Sequence, residues 1–593
     1  MKKILYVVAG IFALLNISSC TKNFLEKPGT TGSTTVETIF SNRTAAETAI
    51  TNAYRSTLVH GLWGDGGINN GNLSGISGEL AYGEGWGSLK RFVDAGLSPT
   101  AFEQPAQSTD NFFNNYSAIR KNFIIQENID KVTDMDVALK ATVKAEVKGL
   151  VAYRYMGMFI RYGGVPIVTK SLQSSDDLAI PRANLQETLD YIIKLSTDAA
   201  AGLPDKWEDK YTGRLTKGTA LAIKARTLMF AARPLFNSGS AYLSFGDNNK
   251  LITLGSEAAE RWQDAVTANE AVLAWANQNG YALINTGGGT GVPNSNAFDD
   301  YATATSTPAN KEVLLAYKLD EIGNKFYKWY NPNRVTNNER YLTEHYGMLT
   351  AFLTNYYKAD GTNQIWPGFG VANALPFSDY IAKVNVMEPR FKADNMAHTL
   401  DPWNNLGDAN WAYTASGAGE NHEGQGRGNT QSTKFYYKAG SRGWFEFPLF
   451  RMAEFYLNLA EAYNEVGNPV KALQNLNMVH NRAGLPSITE TDKARLRTII
   501  QREWAIEYYN ENQRYFQVKH WKLSDLANGI MGGGMREFQF TLVSAGANDR
   551  LPSSLLNYYD KITYTAYWNP KMFLEPFPQS EIDKGVLVQN PGY

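Results

Sequence analysis

The stretch Trp444–Trp521 constrains the fold most, because it carries the strongest helical periodicity in the chain. Phe455, Leu459, Ala462 and Val466 recur at helical spacing and define one apolar stripe. Gly467-Asn468-Pro469 interrupts it, and Pro469 suits the first turn of a second helix, where no backbone donor is needed. Ala472, Leu476 and Val479 make a second stripe, which Ala483-Gly484-Leu485-Pro486 stops. Neither helix can bury its stripe alone, so the spacing predicts an antiparallel hairpin packed on neighbouring hairpins. Leu459, Tyr463, Gly467, Ala472 and Leu476 also fit a tetratricopeptide unit, whose period is about 34 residues. That pattern specifies a scaffold and leaves the ligand open.

Further helices are expected over Thr38–Leu58, Asp110–Val132, Asp136–Tyr162, Arg182–Leu203, Lys217–Arg233 and Ala258–Asn277. A short extended run is expected after Gly163-Gly164-Val165-Pro166. Two stretches break the pattern. His60–Thr109 is crowded with glycine and has little periodicity, and loops of that length are uncommon unless functional. Tyr281–Gly443 reads as glycine, asparagine and aromatic loops, with Lys311–Tyr317 as its best strand candidate. The helical scaffold is expected to return at Trp444, and the chain after Trp521 reads as irregular. The expected fold is therefore mainly α, with tetratricopeptide-like helix hairpins as scaffold, a large irregular loop-rich region and few short strands. The helical blocks fall at about 38–279 and 444–521, around an insertion at about 281–443.

Charge and termini narrow the class. The 57 basic and 58 acidic residues nearly cancel, whereas a nucleic-acid protein would show a basic stripe. Lys2 and Lys3, an apolar run over Ile4–Ile17 and then Ser18-Ser19-Cys20 read as a targeting segment, too short for a membrane span of about 20 residues. Ile17-Ser18-Ser19-Cys20 resembles a bacterial lipoprotein processing box, in which Cys20 is lipidated and residues 1–19 are a signal peptide. A plain secretory signal is the bland alternative. Cys20 is the only cysteine, so it has no intrachain disulfide to make.

Several motifs, spread over nearly the whole mature chain, resemble the SusD/RagB family of outer-membrane nutrient-binding lipoproteins. They are Cys20 followed by Phe24-Leu25-Glu26 and Pro28, then Arg214-Leu215-Thr216-Lys217-Gly218-Thr219, and then Met387-Glu388-Pro389-Arg390-Phe391. Arg451-Met452-Ala453-Glu454 with Asn481-Arg482-Ala483-Gly484, Gln501-Arg502-Glu503 with Glu507 and Arg514, and the terminal Gln589–Tyr593 complete the set. Glu388 stands where the family usually has aspartate, and Thr21-Lys22-Asn23 is not an acidic run. The resemblance implies a single SusD-like domain over 20–593, whose loop-rich side binds ligand. It also implies a lid role on a SusC-like, TonB-dependent outer-membrane barrel, lipid anchoring in the outer membrane with the protein exposed at the cell surface, and capture of oligosaccharides without catalysis.

Sugar recognition calls for flat rings that stack on a pyranose, with planar polar groups for its hydroxyls. Two aromatic stretches meet this requirement, and glycines flank Trp63 and Trp86 in the first. The first supplies Trp63, Tyr82 and Trp86, with Trp86 leading, and the second supplies Trp329, Tyr330, Asn333 and Arg334. Packing of these rings under their own loops is the bland reading. Glu503 and Glu507, at i and i+4, mimic the carboxylate spacing of retaining glycosidases but lie on one helix face, so they cannot flank a substrate. Ion pairing to Arg502, Arg514 or another helix is expected of them instead. The six histidines show no i, i+3 or i, i+4 pair, so neither metal nor cofactor is implied. The expected function is non-catalytic glycan binding and delivery to the barrel. Peptide or other nutrient binding in the same lid role, and a protein-interaction scaffold, are the alternatives.

Overall fold

The computed structural model describes residues 35–59, 73–81, 92–94, 96–100, 111–319, 347–397, 430–435, 444–523, 529–544, 553 and 555–593. The first helical block contains α1 (Arg43–Thr57), α2 (Phe112–Asn128), α3 (Val137–Tyr162), α4 (Leu185–Gly202), α5 (Lys217–Ala232) and α6 (Ala259–Gln278). Local sequence sets their ends. Asn42, Asn111, Asp136 and Asn184 each accept a backbone N–H in the first turn, satisfying a donor that the helix cannot. Asn42 also explains why the helix expected from Thr38 is split, with a separate turn at Val36–Ile39 before it. Gly163 ends α3 at φ 82°, and a Cβ there would lie 2.6 Å from the Leu251 carbonyl oxygen. The run after Gly163, where an extended segment was expected, joins no strand.

The insertion carries the expected strand, as β1 (Val313–Leu319), and also α7 (Ala297–Ser306), α8 (Phe377–Asn385) and α9 (Pro389–Asp394), short helices where loops were expected. It is followed by β2 (Phe445–Arg451), α10 (Met452–Glu465), α11 (Pro469–Arg482), α12 (Lys493–Glu507) and α13 (Arg514–His520). The scaffold thus resumes at Met452 rather than Trp444, because Phe445–Arg451 pairs antiparallel with β1, Lys318 opposite Glu446. The hairpin expected at Phe455–Val479 forms as α10 and α11.

The helices pack in series, α1 on α2 through to α5 on α6, and α6 then packs on α10, which packs on α11 and α12. The two blocks are one stack from which the insertion departs and returns. Two buried ion pairs fasten the stack across that gap. Arg226 Nε donates to Glu454 Oε1 at 2.7 Å, and one register further Arg233 Nε and Nη2 donate to Glu461 at 3.0 and 2.8 Å. Each pair links residues 228 apart in sequence. Arg226 lies on α5 and Arg233, seven residues on, caps its end, while both glutamates lie on α10, also seven apart, so the two elements are held in register at two points.

After α13 the chain forms the two longest strands among the described residues, β3 (Gly533–Leu542) and β4 (Leu555–Ala566), which correct the expectation of irregular chain there. They pair antiparallel from Gly533–Ala566 to Leu542–Leu555, and Leu375–Pro376 adds on the far side of β4. Register shifts at Met535/Arg536 and Thr541/Leu542, together with the buried charges Glu537 and Asp560, break the apolar alternation that would have marked them. This sheet, α8 and the segment around Phe352 and Tyr356 enclose a second, strongly aromatic core that includes Tyr380, Phe538, Phe540 and Tyr558. The larger core runs through the helical stack. Among the described residues no helix is long and apolar enough to cross a membrane.

The ion pairs between α5 and α10 make a quantitative expectation. Arg233→Met leaves Glu461 buried without its cation and should cost about 3–5 kcal/mol in urea unfolding, whereas Arg233→Met with Glu461→Leu should lie much closer to wild type.

Candidate ligand-binding junction

The site is built on a buried cluster of charges at the end of α12. Glu503 and Glu507 point inward from one face of that helix and are fully buried. Pro389, at the first turn of α9, aims Arg390 at them, and Arg390 Nη1 lies 2.6 Å from Glu503 Oε1 and 3.1 Å from Glu507 Oε2. Arg390 Nε donates to Glu388 Oε2 at 2.8 Å, so the glutamate that replaces the usual aspartate serves as its near partner. Arg451, at the end of β2, donates to Glu507 Oε1 at 2.6 Å, to Glu511 at 2.8 and 2.9 Å and to Glu312 Oε1 at 3.1 Å. Arg482, at the end of α11, bonds Glu507 and Glu312, and His480 Nδ1 lies 2.9 Å from Glu503 Oε2. Lys434 completes the set, 2.7 Å from Glu511 Oε1.

The partners of Glu503 and Glu507 are therefore on other elements, as one branch of the expectation had it, and are neither Arg502 nor Arg514. Arg502 donates to the Asn355 carbonyl and stacks on Tyr357, while Arg514 donates to the Ser77 carbonyl and lies over Phe352. Both carboxylates are occupied by guanidinium groups and sealed from solvent, so they do not form a pair that could act on a substrate. Burial alone would raise the Glu507 carboxyl, but Arg482, Arg451 and Arg390 hold it down at about 2. Asp394 goes the other way. Burial raises it to about 7 despite Lys434 nearby and hydrogen bonds from Tyr356 at 2.9 Å and Tyr301 at 3.0 Å.

Above this cluster, segments that flank the two aromatic stretches meet. Leu80 bridges Met348 antiparallel, Ala81 N–H donates to the Gly347 carbonyl at 2.8 Å, and Leu349 N–H donates to the Glu79 carbonyl at 3.0 Å. Tyr82 follows Ala81 directly, and the stretch containing Trp329–Arg334 runs into Gly347. Met348 N–H also donates to the Thr430 carbonyl at 3.2 Å, which brings the end of the segment 398–429 to the same point. Gly78, at φ 75°, is required where this corner passes Ile530, since a Cβ would lie 2.2 Å from the Ile530 oxygen.

Trp63, Tyr82, Trp86, Trp329, Tyr330, Asn333, Arg334 and Cys20 themselves lie outside the described residues. Sequence reasoning missed Glu79, Glu312, Lys434 and Asn510. Only Asn510 had a usable signal, as an asparagine just past a helix end, where the left-handed conformation is common. Among the described residues no group of histidine, cysteine, aspartate or glutamate side chains is arranged to hold a metal ion.

Residues 277–593 match the model of the SusD family, and residues 96–229 match a model described as starch-binding associating with outer membrane. The chain belongs to the SusD family. A SusD-like protein from Bacteroides fragilis superimposes with a TM-score of 0.73 at 23% identity, covering 94% of this chain and 98% of that one. A second SusD-like carbohydrate binding protein from Bacteroides fragilis gives 0.67 at 17% identity, covering 93% and 99%. A laminarin binding SusD-like protein gives 0.56 at 18% identity, covering 93% and 100%. At these identities the likeness is one of fold. A search of curated proteins returns no match.

The cluster gives stability two pH limbs. Glu507, depressed from 4.5 to about 2, contributes stability that is present above its ordinary value and lost as pH falls toward 2. Asp394, raised from 3.8 to about 7, holds its proton more tightly when folded, so stability falls as pH rises through that interval. Asp394→Asn should lessen the decline between those two values, to which the buried and likewise raised Glu388 also contributes, and leave the acid limb intact, as read from chemical denaturation at each pH.

Proposed function

We propose that this chain is a non-catalytic, lipid-anchored glycan-binding protein that captures oligosaccharides at the outer surface of the outer membrane. It delivers them to a SusC-like, TonB-dependent barrel. Lipidation of Cys20 supplies the anchor, and the family description of association with the outer membrane supports this location. The observation that carries the reading is the junction of Leu80, Met348 and Thr430. There Ala81, after which the segment 82–91 with Tyr82 and Trp86 begins, meets Gly347, at which the segment 320–346 with Trp329, Tyr330, Asn333 and Arg334 ends. Rings and amides on segments whose ends meet could face one ligand, with aromatic faces on the sugar and planar groups on its hydroxyls. The starch-binding description of one matching model and the laminarin-binding relative point to the same ligand class.

A glycan array probed with the chain lacking residues 1–20 tests the proposal. One polysaccharide class should be bound, and Trp86→Ala and Trp329→Ala should each weaken it roughly tenfold, about 1.4 kcal/mol. Silence on every glycan with retention of peptides overturns the ligand class. Unchanged binding by both variants overturns the site.

A further inference from the structure

Glu79 is fully buried, with the charge of the Arg514 guanidinium acting on its carboxyl. A carboxylate in such a place is costly unless its oxygens are satisfied. Both are. Ser77 Oγ donates to Oε2 at 2.6 Å, and the backbone N–H of Asn510 donates to Oε1 at 2.9 Å. That N–H is available because Asn510 takes the left-handed conformation, φ 57°, just past the end of α12. Arg514, on the same side, donates to the Ser77 carbonyl at 3.3 Å.

These contacts close a circuit. Asn510 Nδ2 donates to Ser432 Oγ at 3.2 Å, and Ser432 lies two residues from Thr430. The Thr430 carbonyl accepts from Met348 N–H, and the next amide, Leu349 N–H, returns to the Glu79 carbonyl. Glu79, Met348, Leu349, Thr430, Ser432 and Asn510 are all buried. Each bond in this ring therefore has little alternative partner in water, and opening one removes the support of the others. Glu79 touches two arms at once, the turn after α12 through its side chain and Leu349 through its main chain, as Asn510 does from the other side with Glu79 and Ser432.

We propose that Glu79 is the positioning residue through which the end of α12 sets the segments 73–81, 347–349 and 430–434 together, so that they hold or release as one unit. As an assignment within a binding site it rests on the glycan-binding reading above; as a statement about coupled segments it is measurable without any ligand. Ligand contact on one segment would then order the other two.

Native-state hydrogen exchange on the chain lacking residues 1–20 provides the test, comparing wild type with Glu79→Ala, Glu79→Gln and Ser432→Ala. Glu79→Ala should speed exchange at Ala81, Met348 and Leu349 by roughly tenfold or more while α3 and α10 keep their protection. Glu79→Gln, which retains an acceptor for Asn510, should restore most of that protection. Acceleration confined to 73–81, or a glutamine variant as exposed as the alanine one, overturns the proposal, as does acceleration spread equally over α3 and α10. If Glu79→Ala does not fold, Ser432→Ala decides: joint acceleration at 347–349 and 430–434 supports the unit, and unchanged protection overturns it. A wild-type chain that binds no glycan would sink the functional reading while leaving the exchange result to stand by itself.

Discussion

The contact of Glu507 with three arginines is the interaction on which the rest of the structure depends. Arg390 comes from the insertion, Arg451 from the end of β2 and Arg482 from the end of α11, so one carboxylate collects three distant parts of the chain. Such a cluster is a poor source of net stability, since desolvating each ion costs several kcal/mol. Its value lies in selection. A packing in which any one arm is misplaced leaves a buried charge without a partner, which is far more costly than a shifted methyl group. The cluster thus rejects wrong arrangements of an insertion whose own helices are short and whose strands are few.

The helical stack and the insertion solve different problems with the same chemistry. In the stack, Arg226–Glu454 and Arg233–Glu461 fix the register of helices that already present apolar faces to one another. In the insertion, segments with weaker apolar patterning share an aromatic core with the ends of α11 and α12 and are also tied there through charge, by Glu312, Arg390 and Lys434. The left-handed turn at Asn510 and Asn512 connects the two, because it ends α12 beside the cluster and turns a backbone donor toward Glu79.

The sequence made the helices of the stack legible because each buries one face against neighbours that are also close in sequence. Lys217–Arg233 was expected and Lys217–Ala232 is found. Glu388, Arg390, Arg451, Arg482, Glu503 and Glu507 were visible as members of motifs, yet not as partners of one another, since nothing in their spacing records a contact made through the fold. Glu312, Lys434 and Glu511 belonged to no motif. The pair β3 and β4 escaped because bulges and the inward charges of Glu537 and Asp560 erase the two-residue period. Of the candidate site, the described residues contain the junction, while the aromatic side chains chosen from the sequence lie beyond them.

The junction of Leu80, Met348 and Thr430 has an evolutionary corollary. A loop whose ends are pinned at a buried point can lengthen at little thermodynamic cost, only about 0.6 kcal/mol for each doubling. Segments launched there can gain, lose or exchange aromatic residues while the stack, the cluster and the pinning bonds stay as they are. On the glycan-binding proposal, specificity for one glycan or another is then free to drift at the rim of a frame that does not need to change, so a single architecture can be fitted to many diets.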